Sequence, residues 1–272
     1  MEFPARPLSA AIALALVTTP ALSEERILVQ STTSTKNSGF YDYIQPLISK
    51  DTGVTLSIVA VGTGQAIKNA RKCDGDVLLV HAKPAEEKFV ASGYGVKRTN
   101  LMYNDFVIVG PQSDPARIAG DKSAADALTK IAASGSLFAS RGDDSGTNKK
   151  ENALWKSAGV NPKPHSGNWY RATGSGMGAT LNAAIGMNAY TLTDRATWIK
   201  FKNKADFKIL VEGDKILFNQ YGIILVNAAK CPSVKTALGQ KVINWFLSKT
   251  GQQAINAYKV DGKQLFFANA PQ

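Results

Sequence analysis

Only two cysteines, Cys73 and Cys231, and two histidines, His81 and His165, occur in the 272 residues. They are far apart along the chain, whereas zinc and redox-metal ligands recur at short spacings, so a metal-cation site is not expected. No apolar run approaches the roughly 20 residues of a membrane-spanning helix. The stretch 223–229 is too short for that and reads as a buried strand. Internal repeats and low-complexity linkers are lacking. The formal net charge is +11, yet lysines such as Lys68, Lys97, Lys130, Lys200, Lys204 and Lys241 are scattered, with no basic stripe among aromatics. The balance suits an anionic ligand or surface, and the scatter of the lysines gives no sign of nucleic-acid binding. No pair of carboxylates with a base, no metal cluster and no nucleophile elbow supports an enzyme.

What is present begins with an export signal. Arg6 precedes an apolar stretch over residues 8–17, then Thr18-Thr19-Pro20 and the small-x-small triplet Ala21-Leu22-Ser23. This is the order of a secretory signal peptide, here residues 1–23, with a buried N-terminal strand or helix as the alternative. No cysteine follows the cut, so no lipid anchor is suggested, and the mature chain is expected outside the cytoplasm, in the periplasm, without membrane insertion. An exported chain with two cysteines can join them, so a Cys73–Cys231 disulfide is expected, against two separate buried thiols.

Strand-like and helical patterns then alternate. Residues 27–29, 54–61 and 77–80 read as strands, and 41–50, 65–72 and 85–92 as helices, with Pro46 a potential kink. Two longer apolar strands, 106–109 and 221–226, bracket a block with strand–helix units of its own, at 137–139 with 148–158 and at 180–188 with 190–192. A helix over 234–249 and a short tail close the chain. This order predicts an α/β architecture of parallel sheets flanked by helices. It also predicts a discontinuous first domain, a second domain inserted in it, and two crossing strands as hinges.

Four turns rich in glycine and hydroxyls lead into helices: Ser31-Thr32-Thr33-Ser34-Thr35, Gly62-Thr63-Gly64, the stretch SRGDDSGTNKKE from Ser140, and RATGSGMGAT from Arg171. Such turns aim backbone N–H groups and hydroxyls at one place, and the helix N-terminus adds positive potential. The third also carries Arg141, whose planar fork of donors fits an oxyanion, followed by Ser145, Gly146 and Thr147. Taken singly, each turn is also explained as a helix cap or a close-packed bend, and Arg141 as a surface cation paired with Asp143 or Asp144. Arg141-Gly142-Asp143 has the form of an adhesion tripeptide and GDDSG that of a protease loop, but no supporting motif accompanies either. Together the turns form two pairs, one per domain, able to enclose a small tetrahedral anion.

Thr32-Thr33-Ser34, VGTGQA, DVLLVHAKP, YNDFVIVGP, SRGDDSGTNKKE and YTLTDR together resemble the periplasmic tungstate-binding proteins of tungstate ABC importers, over nearly all of the mature chain. The resemblance implies a type II periplasmic-binding-protein fold: α/β, two lobes with two mixed, mostly parallel sheets flanked by helices and joined by two hinge strands. Residues 24–106 with 221–272 would form lobe I and 107–220 lobe II. It implies a monomer with no cofactor that binds a tungstate or molybdate dianion and meets an ABC permease with its cytoplasmic ATPase. Ligand contacts would be Thr32, Thr33, Ser34, Thr63, Arg141 and Thr147, with Ser145, Gly146 and the turn Thr173, Gly174 and Ser175 beside them. Related phosphate binders place an acidic residue after a strand like 77–80, where this chain reads His81-Ala82-Lys83-Pro84. Lack of a carboxylate there favours a fully deprotonated dianion. Phosphate or sulfate binding on the same fold, hydrolysis of an anionic substrate by a secreted enzyme, and a sensory or adhesive module are the rivals.

Overall fold

The computed structural model describes Met1 and residues 25–271. The expected signal peptide, residues 1–23, lies outside the described residues apart from Met1. The first strands and helices are β1 (Glu25–Thr32), α1 (Thr33–Asn37), α2 (Phe40–Thr52), β2 (Val54–Val61), α3 (Thr63–Arg71), β3 (Val77–Val80) and α4 (Lys83–Ala91). The long β4 (Gly95–Gly110) leads to α5 (Ala124–Ser134), β5 (Phe138–Ser140), α6 (Gly146–Ser157), β6 (Tyr170–Ala172), α7 (Met177–Gly186), β7 (Tyr190–Asp194), α8 (Arg195–Lys200) and β8 (Lys208–Val211). Then β9 (Phe218–Val226), α9 (Thr236–Leu247), α10 (Lys249–Ala257), β10 (Lys259–Val260), β11 (Lys263–Gln264) and β12 (Phe267–Ala268) complete the chain.

Local chemistry accounts for these elements. In α2, Phe40, Tyr41, Ile44 and Ile48 recur at helical spacing on the buried side. The helix runs through Pro46 and stops at Gly53, whose φ of 71° permits the left-handed cap that donates to Ser49 O. Strand β3 is buried on both faces: Val77 and Leu79 pack with Phe40, Ile44 and Phe246, while Leu78 and Val80 pack with Ala66, Ile67 and Phe89. The C-terminal half of β4 behaves the same way. Phe106 and Ile108 face Phe138 and Trp155, and Val107 and Val109 face Met177 and Leu181. Helices therefore cover both faces of two sheets.

The first sheet has the order β2-β1-β3-β9-β4, with β12 on β4; the second has the order β4-β7-β5-β6, with β8 also on β4. Strand β4 belongs to both. Asp105 pairs with Phe218 in the first sheet, and the next residue, Phe106, pairs with Asp194 in the second. The expected parallel pairing holds for β2-β1-β3 and for β6-β5-β7. The pairs that β4 and β9 make are antiparallel, so the sheets are mixed with antiparallel pairing along the crossing strands. The outward crossing is one continuous strand, whereas the return consists of β8, a 3-10 turn at Lys215–Leu217, and β9.

Other differences from the sequence reading have local causes. Strand β4 starts 11 residues before Phe106, because its first half is mostly polar, with Val96 and Lys97 exposed and Arg98, Thr99 and Asn100 half-buried, and carries no apolar run. The expected helix 234–249 is two helices. Ser248 takes an extended ψ of 163° and its hydroxyl caps α10 by accepting from Gly251 N. The tail is ordered by the β10–β11 hairpin and the β12–β4 pair. Cys73 and Cys231 form a disulfide, with Cα atoms 5.1 Å apart, that ties the end of α3 to the loop after β9.

Candidate functional site

Four helix N-termini converge where the two sheets share β4. At the first, the five hydroxyl residues divide their work. Ser31 Oγ donates to Leu79 O and lies 2.5 Å from Tyr41 Oη. Thr32 caps α1 by accepting from Thr35 N at 3.2 Å, with its Oγ1 2.8 Å from that of Thr35. Thr33 and Ser34 remain to face across the junction.

What they face is Arg141. It leaves β5 buried, at 2% exposure, so it is not a surface cation. One terminal nitrogen donates to Ser34 Oγ at 3.3 Å; the other donates to Thr33 Oγ1 at 3.2 Å and to Asp143 Oδ2 at 2.5 Å. The ion pair with Asp143, one of two partners weighed from sequence, is thus present inside the site. It amends the expectation of a site free of fixed anion: residues 81–84 carry no carboxylate, but Asp143 supplies one on the guanidinium itself. Arg141 Nε is buried and without a partner among the described residues.

Helix α6 begins beside it. Ser145 caps the helix by accepting from Asn148 N at 3.1 Å, and Gly146 N donates across the junction to Thr63 Oγ1 at 3.0 Å. Gly64 N donates to Asp144 O, a second link between α3 and this loop. Thr147 Oγ1 is buried and also lacks a partner among the described residues. A buried network steadies the loop. The Glu151 carboxylate accepts from Ser140 Oγ at 2.7 Å, Tyr170 Oη at 2.7 Å and Trp155 Nε1 at 3.1 Å. Burial pushes the Glu151 pKa up, while these hydrogen bonds oppose the rise.

The fourth N-terminus is that of α7. A Cβ on its cap residue Gly176 would lie 3.7 Å from Thr33 Oγ1, so the backbone approaches that hydroxyl closely. The preceding turn is arranged differently from expectation. Thr173 Oγ1 lies within 3.2 Å of Ser140 O and 2.8 Å from Thr180 Oγ1, Ser175 Oγ donates to Thr173 O, and Gly174 is exposed with φ of 62°. These three residues brace the turn and have no hydrogen bond to the guanidinium of Arg141. Thr33, Ser34, Thr63, Arg141, Ser145, Gly146 and Thr147 are brought together; Thr32 acts as a cap behind them.

Residues not singled out as contacts complete the surroundings. His81 packs against Gly146, where an added Cβ would come within 2.8 Å of its ring. Its Nδ1 donates to Asn219 Oδ1 at 3.0 Å, and Asn219 Nδ2 donates to Asn104 Oδ1 at 2.7 Å. Burial pushes the His81 pKa down to about 4, and the charges of Arg141 and Lys150 act the same way against the Asn219 hydrogen bond. Thr197, which follows the cap Asp194 of α8, places its hydroxyl 3.3 Å from Ser34 O. No local signal in the sequence marks Asn104, Asn219 or Thr197 as neighbours of the junction.

Two α/β halves sharing β4, with a buried cation and hydroxyls meeting at their junction, define a solute-binding protein with an anion-adapted cleft. The chain belongs to the PBP superfamily, whose domain model matches residues 18–250, and within it to one family with the relatives that follow. It is 44% identical over 248 residues to a protein of Peptoclostridium acidaminophilum named tungstate-binding protein TupA, covering 90% of this chain and 86% of that one. Among solved structures, it is similar to the tungstate-binding protein TupA of Desulfovibrio alaskensis G20, with 50% identity, TM-score 0.77, and 91% of this chain and 100% of the other covered. It is likewise similar to a structure described as the tungstate ABC transporter from Geobacter sulfurreducens, with 49% identity, TM-score 0.79, and coverage of 87% and 100%.

Proposed function

We propose that this protein captures tungstate or molybdate as a dianion outside the cytoplasm and delivers it to an ABC importer. The observation that carries the reading is the buried Arg141 guanidinium, which reaches from the second sheet's half to Thr33 and Ser34 of the first. A group in that position neutralises charge and donates along two directions at once. Thr33, Ser34, Thr63, Ser145, Gly146 and Thr147 supply hydroxyls and N–H groups for the remaining oxygens. Each charge-assisted hydrogen bond contributes about 1.5–3 kcal/mol, so a few suffice for tight capture. The names of the relatives above support tungstate as the cargo and an ABC transporter as the partner, and its permease and ATPase are the components it would meet.

The mechanism is closure. Residues 24–106 with 221–272 form one lobe and residues 107–220 the other, and a ligand that touches both shifts the balance towards the closed form. Both walls come from one chain, so a monomer suffices. The cargo leaves chemically unchanged, which makes the protein a carrier and not an enzyme. Export through residues 1–23 would place it in the periplasm. Among the described residues no helix is long and apolar enough to cross a membrane.

Titration calorimetry of the mature protein with tungstate, molybdate, sulfate and phosphate tests the proposal. Tungstate or molybdate should bind far more tightly than the others. Asp143 gives the phosphate reading a footing, because a carboxylate against the guanidinium can accept the proton of a protonated phosphate. Preference for phosphate, deepening as the pH falls towards its second pKa, would replace the tungstate reading with that one.

A further inference from the structure

One guanidinium outside the cleft holds both crossings between the sheets. Arg195, the first residue of α8, grips Asp105 with two parallel bonds, Nε to Oδ1 at 2.7 Å and a terminal nitrogen to Oδ2 at 2.6 Å. Its other terminal nitrogen lies 2.7 Å from Glu212 Oε2. Asp105 is the last residue of β4 paired in the first sheet, and Phe106 the first paired in the second. Glu212 directly follows β8, where the chain starts back to β9. Arg195 itself directly follows β7 of the second sheet. The Asp105 pair therefore continues the β4–β7 ladder by one rung beyond Phe106–Asp194, at the residue where β4 passes from one sheet to the other, and the Glu212 pair ties in the start of the return crossing.

A fork-to-fork pair tolerates little rotation, because both bonds need the guanidinium and carboxylate coplanar. The Asp105–Arg195 pair thus fits one angle between the sheets, the angle at which Arg141 meets Thr33 and Ser34. Two residues after Arg195, the Thr197 hydroxyl touches Ser34 O, so one short helix joins the hinge to the cleft. Beside Arg195, Trp198, Phe207 and Gln264 line a cavity of about 420 Å³. Arg195 is the partly exposed residue of that turn, whereas Ala196, Thr197 and Trp198 behind it are buried. We infer that Arg195 is a positioning residue which clamps the hinge in the closed geometry and sets affinity for the oxyanion without touching it. Without it, Asp105 and Glu212 face each other as like charges across the two crossings, and the open form gains.

This inference rests on the closure reading above, and its test separates the two. Small-angle scattering of the ligand-free protein and tungstate calorimetry are run on the wild type, Arg195→Gln, Asp105→Asn and the double variant Arg195→Gln with Glu212→Gln. Arg195→Gln should enlarge the ligand-free radius of gyration and weaken tungstate binding about tenfold. Asp105→Asn, which removes only the pair at the β4 crossing, should move both in the same direction and keeps the test decisive where Arg195→Gln does not fold. The double variant should regain part of the loss, because it removes the repulsion, a rescue that a purely structural role would not give. Unchanged affinity and radius in Arg195→Gln and Asp105→Asn, or a double variant no better than the single one, overturns the clamp. If the wild type binds none of the oxyanions, the carrier reading falls, and the ligand-free scattering still decides for or against the clamp.

Discussion

The two walls of the cleft are built on opposite principles. The wall from the first sheet presents hydroxyls, Thr33 and Ser34 in α1 and Thr63 in α3, and its neighbour His81 is held neutral by burial. The wall from the second sheet presents a cation with its own counter-ion, Arg141 with Asp143, on a loop braced by the Glu151 network. Charge sits on a loop braced by a buried hydrogen-bond network, and hydroxyl donors sit opposite. A cation on such a support is desolvated before any ligand arrives, which strengthens every bond it makes later. Hydroxyls rotate and tolerate changes in anion size. The comparison suggests that the charged wall supplies strength and the hydroxyl wall supplies fit.

Breaking the charged wall should have the largest effect. Arg141→Ala removes the guanidinium and leaves Asp143 without its partner, and calorimetry should find tungstate binding weaker by about 4 kcal/mol, roughly a thousandfold. Near-normal affinity would mean that the hydroxyl wall alone carries recognition.

Stability should respond asymmetrically next. The Cys73–Cys231 bridge lies wholly in the first sheet's half. Replacing both cysteines with serine should lower unfolding free energy by about 2–5 kcal/mol in denaturant titrations. Affinity should stay within about twofold, since neither cysteine touches the cleft. A large loss of binding would show that the bridge shapes the hydroxyl wall.

His81 gives the first wall a pH dependence. Its folded pKa, about 4, lies below that of a free imidazole, so the unfolded chain takes up the proton first. The stability from its neutral form is complete above about pH 6.5 and is lost as pH falls towards 4, by up to about 3 kcal/mol. Denaturation curves between pH 7 and pH 4 should show this slope in the wild type and a flatter one in His81→Gln. Equal slopes would assign the acid sensitivity to another group whose folded pKa is lowered, such as Asp114, and not to His81.

The smallest effect should come from trimming one hydroxyl. Thr33→Val keeps shape and removes one donor, which should cost about 1 kcal/mol of binding, several-fold in affinity. A shift in the tungstate-to-sulfate ratio larger than the shift in affinity would sharpen the view that this wall supplies fit.

Much of this arrangement was legible in the residues. Strands 54–61 and 77–80 read to the residue, because one borders turn glycines and the other is an unbroken apolar run. The hydroxyl run at Ser31 and the Arg141 loop stood out because donors cluster there before helices. Less legible was the division of labour inside each motif. Nothing in five consecutive hydroxyls tells that Ser31 and Thr32 turn inward to Tyr41 and Thr35 while Thr33 and Ser34 turn to the cleft. The Thr173–Ser175 turn has the same composition as a ligand cradle, yet its hydroxyls bond to its own backbone and to Thr180. Helix α5 was missed although Ala124, Ala127, Leu128 and Ile131 recur at helical spacing between the cap Ser123 and Gly135, whereas the first half of β4 shows mixed polarity, and pairing with distant segments decides such a stretch.

By itself, the sequence determined what depends on near neighbours: the alternation of strands and helices, the caps at their ends, and the kinds of donor available at each turn. Those follow from periodicity and from side chains reaching their own backbone. Only the tertiary structure decided which donors share a space, that Arg141 is buried with Asp143 upon it, and that Arg195 joins Asp105 to Glu212 across 107 residues of chain. Such meetings arise from how β4 and the return crossing carry the chain between sheets, and contacts between residues remote in sequence have no local signature.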